Sequence, residues 1–423
     1  MTREAKHPYS SISLFTGAGG LDLGLEAAGF SVRAALEMEQ DCVGTIRKNR
    51  DWPVIDRSIH EVTSEEILEA AGLEVGEADL LVGGPPCQPF SKSGYWASGD
   101  TKRLDDPRAT TLEGFLRVLR DIRPKAFLLE NVAGLAYSGK DEGIHFITRA
   151  IEQVNKECGT RYRSELLLLN AVDFGVPQIR ERAFLVGSST GKVFGRMKPS
   201  HHSPEARGML RQMRLTSSEQ VYRTAWDAIG DLQEDCAHNL KLSGKWAELL
   251  PAIPEGSNYL YHTERGDGLP LFGWRRRFWN FLLKLAKDLP SWTITASPGP
   301  ATGPFHWSNR RLSVRELCRI QTFPDGYGIV GSYRSALRQI GNAVPCALAE
   351  AIGIEIRARF LGDLSAKNLK PSLVPPRRAP IPPPEPVAAV PPKYLDLIGS
   401  HAPHPGTGKG HRAKANRLNA EAG

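Results

Sequence analysis

Between residues 11 and 187, short apolar runs alternate with stretches whose apolar residues recur at helical spacing. This alternation constrains the fold more than any other feature of the chain. Strand candidates occupy residues 11–15, 32–38, 79–82, 126–132, 165–170 and 183–187, with helix candidates at 21–28, 40–49, 112–122 and 144–154. In the third of these helices Leu112, Phe115, Leu116, Leu119 and Ile122 fall on one face, and Pro124 stops the helix. Strands separated by helices of this length predict an α/β fold, a mostly parallel sheet with helices on both faces. Ligands of such sheets bind where strands end, so chemistry is expected in the turns that follow them.

The rhythm stops near Ser188. Residues 188–300 have irregular apolar spacing and many His, Trp, Arg and Pro, which predicts a separate, smaller domain. Helical pattern resumes at 313–320 and over 336–360, so residues 1–187 and 301–362 are expected to form one body. The remainder, 363–423, carries Pro375-Pro376, Pro382-Pro383-Pro384 and Pro391-Pro392, then a Gly/His/Lys/Arg-rich end. Such a composition buries little apolar area and predicts a disordered tail.

Charge follows the same borders. The net +7 divides into −6 over residues 1–187, +4 over 188–300, +4 over 301–362 and +5 over 363–423. The later parts suit a polyanionic partner such as nucleic acid, and the first part does not. None of the six cysteines sits in a zinc-like cluster, so no metal is expected. No secretory leader or membrane-length apolar run is legible, which predicts a cytoplasmic protein with reduced thiols.

The turn after residues 79–82 reads Gly83-Gly84-Pro85-Pro86-Cys87-Gln88-Pro89-Phe90-Ser91. Two glycines let the backbone bend, and two prolines stiffen it just before a cysteine at a strand end, as a nucleophile requires. Between the first strand and first helix, Phe15-Thr16-Gly17-Ala18-Gly19-Gly20 would bring amides close to a ligand at the helix start. Asp22 occupies the position of the third glycine of a dinucleotide pattern and weighs against that cofactor. Glu37 lies at the end of the second strand, where a carboxylate can accept bonds from ribose hydroxyls. Glu130 closes the apolar strand of residues 126–132, where partial desolvation raises a carboxyl's pKa and favours proton donation. Gln178, Arg180 and Arg182 alternate along an extended segment and are expected to share one face. Ser313 with Glu316 forms a capping box, a local structural role.

Taken in order, these segments resemble the motifs of the DNA (cytosine-5) methyltransferases, in particular the stand-alone bacterial enzymes of restriction–modification systems. Arg311-Leu312-Ser313-Val314-Arg315-Glu316 and Gln339-Ile340-Gly341-Asn342-Ala343-Val344-Pro345 complete the set, and only the middle interval and the tail fall outside it. The resemblance implies the S-adenosylmethionine-dependent methyltransferase fold, Rossmann-like, with 188–300 as a smaller target-recognition domain. It implies S-adenosyl-L-methionine as cofactor, held by Phe15, Gly17, Gly19, Glu37, Pro86 and Asn342. It implies double-stranded DNA as substrate, with Gln178 and Ser91 as contacts, and Cys87, Glu130, Arg180 and Arg182 as catalytic residues. Arg275 and Arg276, in the basic run beside Phe278 and Trp279, are read from the residues themselves either as further DNA contacts or as a solvated helix face. The enzyme is expected to be a monomer, with a cognate restriction endonuclease acting separately.

The chemistry implied rests on the electron-poor carbon 5 of cytosine, which becomes nucleophilic once the Cys87 thiolate adds at carbon 6 and Glu130 steadies ring nitrogen 3. The base must leave the duplex stack to be reached. One departure stands out: Ser58-Ile59 stands where the family commonly has an Asp-Ile pair whose acidic residue binds the adenine amino group, with Asp56 two residues earlier. The rival readings are an RNA cytosine-5 methyltransferase, although a Cys-Phe-Thr motif is lacking, a silent DNA-binding relative, and an NAD-dependent oxidoreductase.

Overall fold

The computed structural model describes residues 9–85, 110–132, 142–205, 220–232, 240–273 and 279–399. Its strands in the first part are β1 (Tyr9–Leu14), β2 (Phe30–Leu36), β3 (Val54–Ile55), β4 (Leu80–Gly83), β5 (Ala126–Val132), β6 (Arg163–Asn170), β7 (Gln178–Ile179) and β8 (Glu181–Ser188). All except β7 join one seven-stranded sheet in the order β3-β2-β1-β4-β5-β8-β6. Strands β1 to β5 are parallel, and β8 runs antiparallel between β5 and β6.

The side-chain period of two sorts the strands onto two cores. Leu80 and Val82 of β4, with Ala126 and Leu128 of β5, face one cluster, while Leu81, Phe127 and Leu129 face the other. The first cluster is covered by α1 (Gly20–Ala27), and the second by α3 (Ser64–Ala71), α4 (Thr110–Ile122) and α5 (Glu142–Cys158); α2 (Gln40–Asn49) follows β2. Burial on both faces explains why the strands read as continuous apolar runs. Sequence reading missed α3 and the two-residue β3. The first is short but begins on a capping box between Thr63 and Glu66.

Among the described residues, the middle interval consists of short 3-10 turns, a two-residue pairing of β9 (His201–His202) with β10 (Gln220–Val221), and helix α6 (Ala225–Ile229). It has its own core around Leu249, Leu250, Ile253, Tyr259 and Leu282. The border expected at residue 300 is not clean, however. Strand β11 (Ser291–Trp292) pairs with β7, and Ala225, Ile229, Leu285 and Ile294 share a core with α7 (Val314–Ile320) and α8 (Tyr333–Asn342).

The helix expected over 336–360 is two helices, α8 and α9 (Cys346–Arg359), because Pro345 interrupts the chain and becomes the N-cap of the second. Helix α9 lies so close to α1 that a Cβ on Gly24 would come 2.3 Å from the Cys346 carbonyl oxygen, so only glycine fits there. The expectation of a disordered tail is corrected for residues 363–399, which pack along the body. Buried Glu350 and Asp227 and the ring of Trp246 offer partners for the polar and aromatic groups set between its prolines. Residues 400–423 lie outside the described residues. Among the described residues no helix is long and apolar enough to cross a membrane, no metal-binding cluster occurs, and Cys42, Cys158, Cys318 and Cys346 are free thiols.

Candidate active site

The sheet brings the turns after β1, β2, β4 and β5 to one edge, and four of the predicted segments start there. After β1, Phe15 takes a left-handed backbone conformation, φ 57°, which a bulky residue adopts only when its surroundings demand it. Thr16 N then bonds the Leu36 carbonyl at 3.2 Å, and Gly19 N closes the turn on the Thr16 carbonyl at 2.9 Å. Gly17, at φ 58°, has open space on the side where a Cβ would project. Glu37 is 7% exposed and braces this loop from β2: Oε2 accepts from Gly17 N at 2.7 Å, and Oε1 from Met38 N and Glu39 N at 2.8 Å. The oxygen facing Gly17 keeps a lone pair for a further donor. An open glycine loop beside a buried carboxylate fits the polar ribose and amino-acid ends of a nucleoside cofactor. Asn342 ends α8 and is exposed.

Asp22, in the first turn of α1, is fully buried, and neither carboxyl oxygen has a hydrogen-bond partner. Burial pushes it up to about 7, against weaker opposing contributions from the Ser13 hydroxyl and its own amide. The Ser13 hydroxyl is already shared with Thr16 Oγ1 at 3.0 Å. The acid is thus held without a fixed partner, a feature that the residue pattern alone did not reveal.

Glu130 and Arg182 meet across the β5–β8 ladder. Arg182 pairs with Val132 and Phe184 with Glu130, so the two side chains are diagonal neighbours on one face. Arg182 Nε lies 3.1 Å from Glu130 Oε1, with both side chains largely buried. Burial raises the Glu130 carboxyl, while Arg182 and then Arg180 pull it back. On the other side, a Cβ at Gly84 would lie 3.1 Å from Glu130 Oε2, so the backbone leaving β4 passes against the carboxyl. Cys87, Pro86 and Ser91 follow that backbone but lie outside the described residues, as do Arg275 and Arg276.

The expected common face of Gln178, Arg180 and Arg182 is corrected. The extended segment switches partners at Arg180: β7 pairs with β11, and β8 with β5 and β6. Gln178 is fully buried; its Nε2 donates to Gln321 Oε1 at 3.3 Å and its Oε1 accepts from Ile294 N at 3.3 Å. Arg180 is also fully buried and donates to the carbonyls of Gly341 (2.7 Å), Ala343 (2.9 Å) and Ile294 (3.2 Å). Desolvation holds the Arg180 pKa well below its ordinary value. Arg180 staples the 339–345 segment to the sheet and Gln178 holds Gln321, which in turn donates to the Ile340 carbonyl; this leaves Arg182 as the motif's arginine at Glu130. Ser313 and Glu316 form the expected capping box, and Arg310 grips Glu316 through two bonds of 2.7 and 2.8 Å. Ser58 turns onto Glu61, and Asp56 pairs with Arg47 at 3.3 Å.

Sequence reading also missed a cleft of about 380 Å³ between residues 294–305 and helices α7 and α8. Arg311 and Arg334 line it, and the Thr295 hydroxyl nearby is buried without a partner.

Comparison with known proteins agrees with this geometry. Residues 9–358 match the family of C-5 cytosine-specific DNA methylases. The chain is 36% identical over 385 residues to the type II methyltransferase M.SacI of Streptomyces achromogenes, covering 86% of this chain and 96% of that protein. It is 43% identical over 225 residues to the type II methyltransferase M.AquIA of Picosynechococcus, covering 52% and 88%. A solved structure described as a putative DNA modification methyltransferase of an E. coli prophage superposes with a TM-score of 0.56 at 21% identity, covering 84% of this chain and all of that one. That likeness concerns the fold. The family match spans the sheet, the cofactor-side turns and the Glu130–Arg182 pair alike, and the chain belongs to the C-5 cytosine-specific DNA methylases, which use S-adenosylmethionine to methylate cytosine in DNA.

Proposed function

We propose that Cys87, Glu130 and Arg182 form the catalytic group of this methyltransferase, and that residues 188–300 select its DNA site. The observation that carries the catalytic assignment is the Glu130–Arg182 contact at 3.1 Å, set against Gly84 three residues before Cys87. The Cys87 thiolate adds to carbon 6 of a cytosine drawn out of the duplex; the carbon 5–carbon 6 double bond is lost and its electrons form an enamine between carbons 4 and 5. Glu130, raised by burial, donates a hydrogen bond or proton to ring nitrogen 3 as negative charge develops. Arg182 holds Glu130 in place and offers its remaining donors to the carbonyl oxygen of the base. After methylation, loss of the carbon 5 proton re-forms the double bond and expels Cys87.

Phe15, Gly17, Gly19, Glu37, Pro86 and Asn342 would hold S-adenosyl-L-methionine, which supplies an electrophilic methyl group when bound. Arg180 positions the 339–345 segment, Gln178 supports it through Gln321, and neither is assigned to base or cofactor. Arg311 and Arg334, with Arg275 and Arg276, are proposed contacts to the DNA backbone or bases. The setting proposed is a bacterial cytoplasm, where a monomeric enzyme protects DNA from a separate restriction endonuclease; the type II naming of the relatives supports it.

Glu130→Gln tests the catalytic assignment. The single-turnover methyl-transfer rate should fall about 10²–10⁴-fold, the range for a lost general acid, with DNA and cofactor affinities near those of the wild type. An unchanged rate would remove Glu130 from the chemistry.

A further inference from the structure

Beyond α9 the chain continues as a strap that leaves the catalytic body and crosses the middle interval. At its start Glu350, buried on α9, accepts bonds from Ser372 N at 2.7 Å, Ser372 Oγ at 2.8 Å and Leu373 N at 2.9 Å. The next anchor is Asp227 of α6, only 1% exposed. Arg377 Nη1 donates to its Oδ2 at 2.7 Å, Arg378 N to its Oδ1 at 2.9 Å, and Arg378 Nε to its carbonyl at 2.9 Å. Farther along, the buried Lys287 ammonium donates to Glu255 (2.8 Å), Glu385 (2.9 Å) and the Pro383 carbonyl (2.9 Å). Last, Tyr394 is 2% exposed, stacks on Trp246 at 5.8 Å and 16°, and donates to the Lys245 carbonyl at 2.7 Å.

The anchors divide by location. Glu350 belongs to the catalytic body, Asp227 and Lys287 to the segments whose neighbours share a core with α7 and α8, and Trp246 to the core of the middle interval. Tyr394 also completes the core of that interval beside Leu249 and Tyr259. Charge-assisted bonds to a carboxylate as buried as Asp227 are stronger than surface ion pairs. The shared core and the β7–β11 pairing join the two parts near residues 225–229 and 285–294, and the strap adds a tie at Trp246, in the separate core of the middle interval.

We propose that the strap, residues 372–394, is a positioning element for DNA recognition. It fixes the middle interval relative to the catalytic body, so the duplex meets a cleft already set to width, and the ordering cost of binding is lower. This rests on the reading that residues 188–300 contact DNA. Cofactor binding at the turns after β1 and β2 does not depend on it.

Two full-length variants act at opposite ends: Arg377→Ala/Arg378→Ala at α6 and Tyr394→Ala at Trp246. Each is expected to raise KM for the target duplex about tenfold, with the S-adenosylmethionine dissociation constant and the single-turnover rate at saturating DNA within about twofold of wild type. Tyr394→Phe keeps the ring and is expected to restore the KM. Should Tyr394→Ala fail to fold, Glu385→Gln takes its place. An unchanged DNA KM with a lowered melting temperature would make the strap a stabiliser alone and overturn the proposal. So would an effect confined to the arginine variant with a reduced salt dependence, because the arginines would then touch phosphates themselves. If exchanging residues 188–300 switches the methylated site while the strap variants keep the wild-type KM, the strap proposal fails and the recognition reading stands. If the exchange leaves the site unchanged, the recognition reading has failed, and the strap proposal falls with it.

Discussion

Replacing Asp22 by Asn removes a pH-dependent cost from the folded protein, and the size of that cost follows from its burial. The carboxyl is fully enclosed with no hydrogen-bond partner, and burial moves it from the ordinary aspartate value of 3.8 to about 7. At about 1.4 kcal/mol per pH unit, that rise corresponds to about 4 kcal/mol. The folded state holds the proton more tightly than the unfolded chain does. The stability it contributes is therefore complete below about pH 4 and is lost as pH rises to 7, where the folded acid ionises. Asn is neutral throughout, so the wild-type stability should fall relative to the variant by about 1.4 kcal/mol per unit between about pH 4 and 7, then level off. The buried Asn amide lacks partners too, which costs about 1–3 kcal/mol at every pH. The slope, and not the intercept, is the test. Urea unfolding of both proteins across this range at fixed ionic strength measures it. A difference that stays flat with pH would show that the Asp22 carboxylate has a counter-charge or donor in solution, and the reasoning would be refuted.

The two arginines of the 178–182 motif should separate cleanly. Arg180→Met takes a donor from three carbonyls, of which that of Ala343 keeps Gln321, and should lower unfolding free energy by roughly 2 kcal/mol or more, from about 1–3 kcal/mol each for Gly341 and Ile294, whereas Arg182→Met should abolish methyl transfer and cost less stability, because the buried Glu130 left behind can take up a proton; the reverse pattern in urea unfolding and methyl-transfer assays would exchange their roles. Exchange of residues 188–300 for those of a relative with another target should switch the methylated cytosine mapped by sequencing, and a chimera that is active on its original site would place specificity elsewhere.

The catalytic body was legible in the sequence because burial on both faces writes itself as apolar runs, as in Leu80-Leu81-Val82 and Ala126-Phe127-Leu128-Leu129. The position of Glu130 at a strand end, and so its raised carboxyl, followed from that reading. What escaped depended on partners distant in sequence. Arg180 and Gln178 alternate with Arg182 as if on one strand face, but the pairing switches at Arg180, and carbonyls some 160 residues away claim the guanidinium. The tail looked too poor in apolar residues to order. Its anchors are a few polar and aromatic groups, Arg377, Arg378, Glu385 and Tyr394, whose buried partners no local pattern announces. The break at Pro345, by contrast, is readable from proline chemistry, although the apolar period that continues through it masks the break.

The central claim, that Cys87 bonds to the target base, is tested most directly by intact mass measurement after incubation with S-adenosylmethionine and duplex DNA carrying 5-fluorocytosine at the target. Fluorine at carbon 5 cannot leave as a proton does, so the account predicts a lasting covalent complex mapped to Cys87 in the wild type. Cys87→Ser should give no complex and no turnover, while still binding DNA and cofactor. Absence of the complex with wild-type protein on a site it methylates, or normal turnover by Cys87→Ser, would contradict the mechanism.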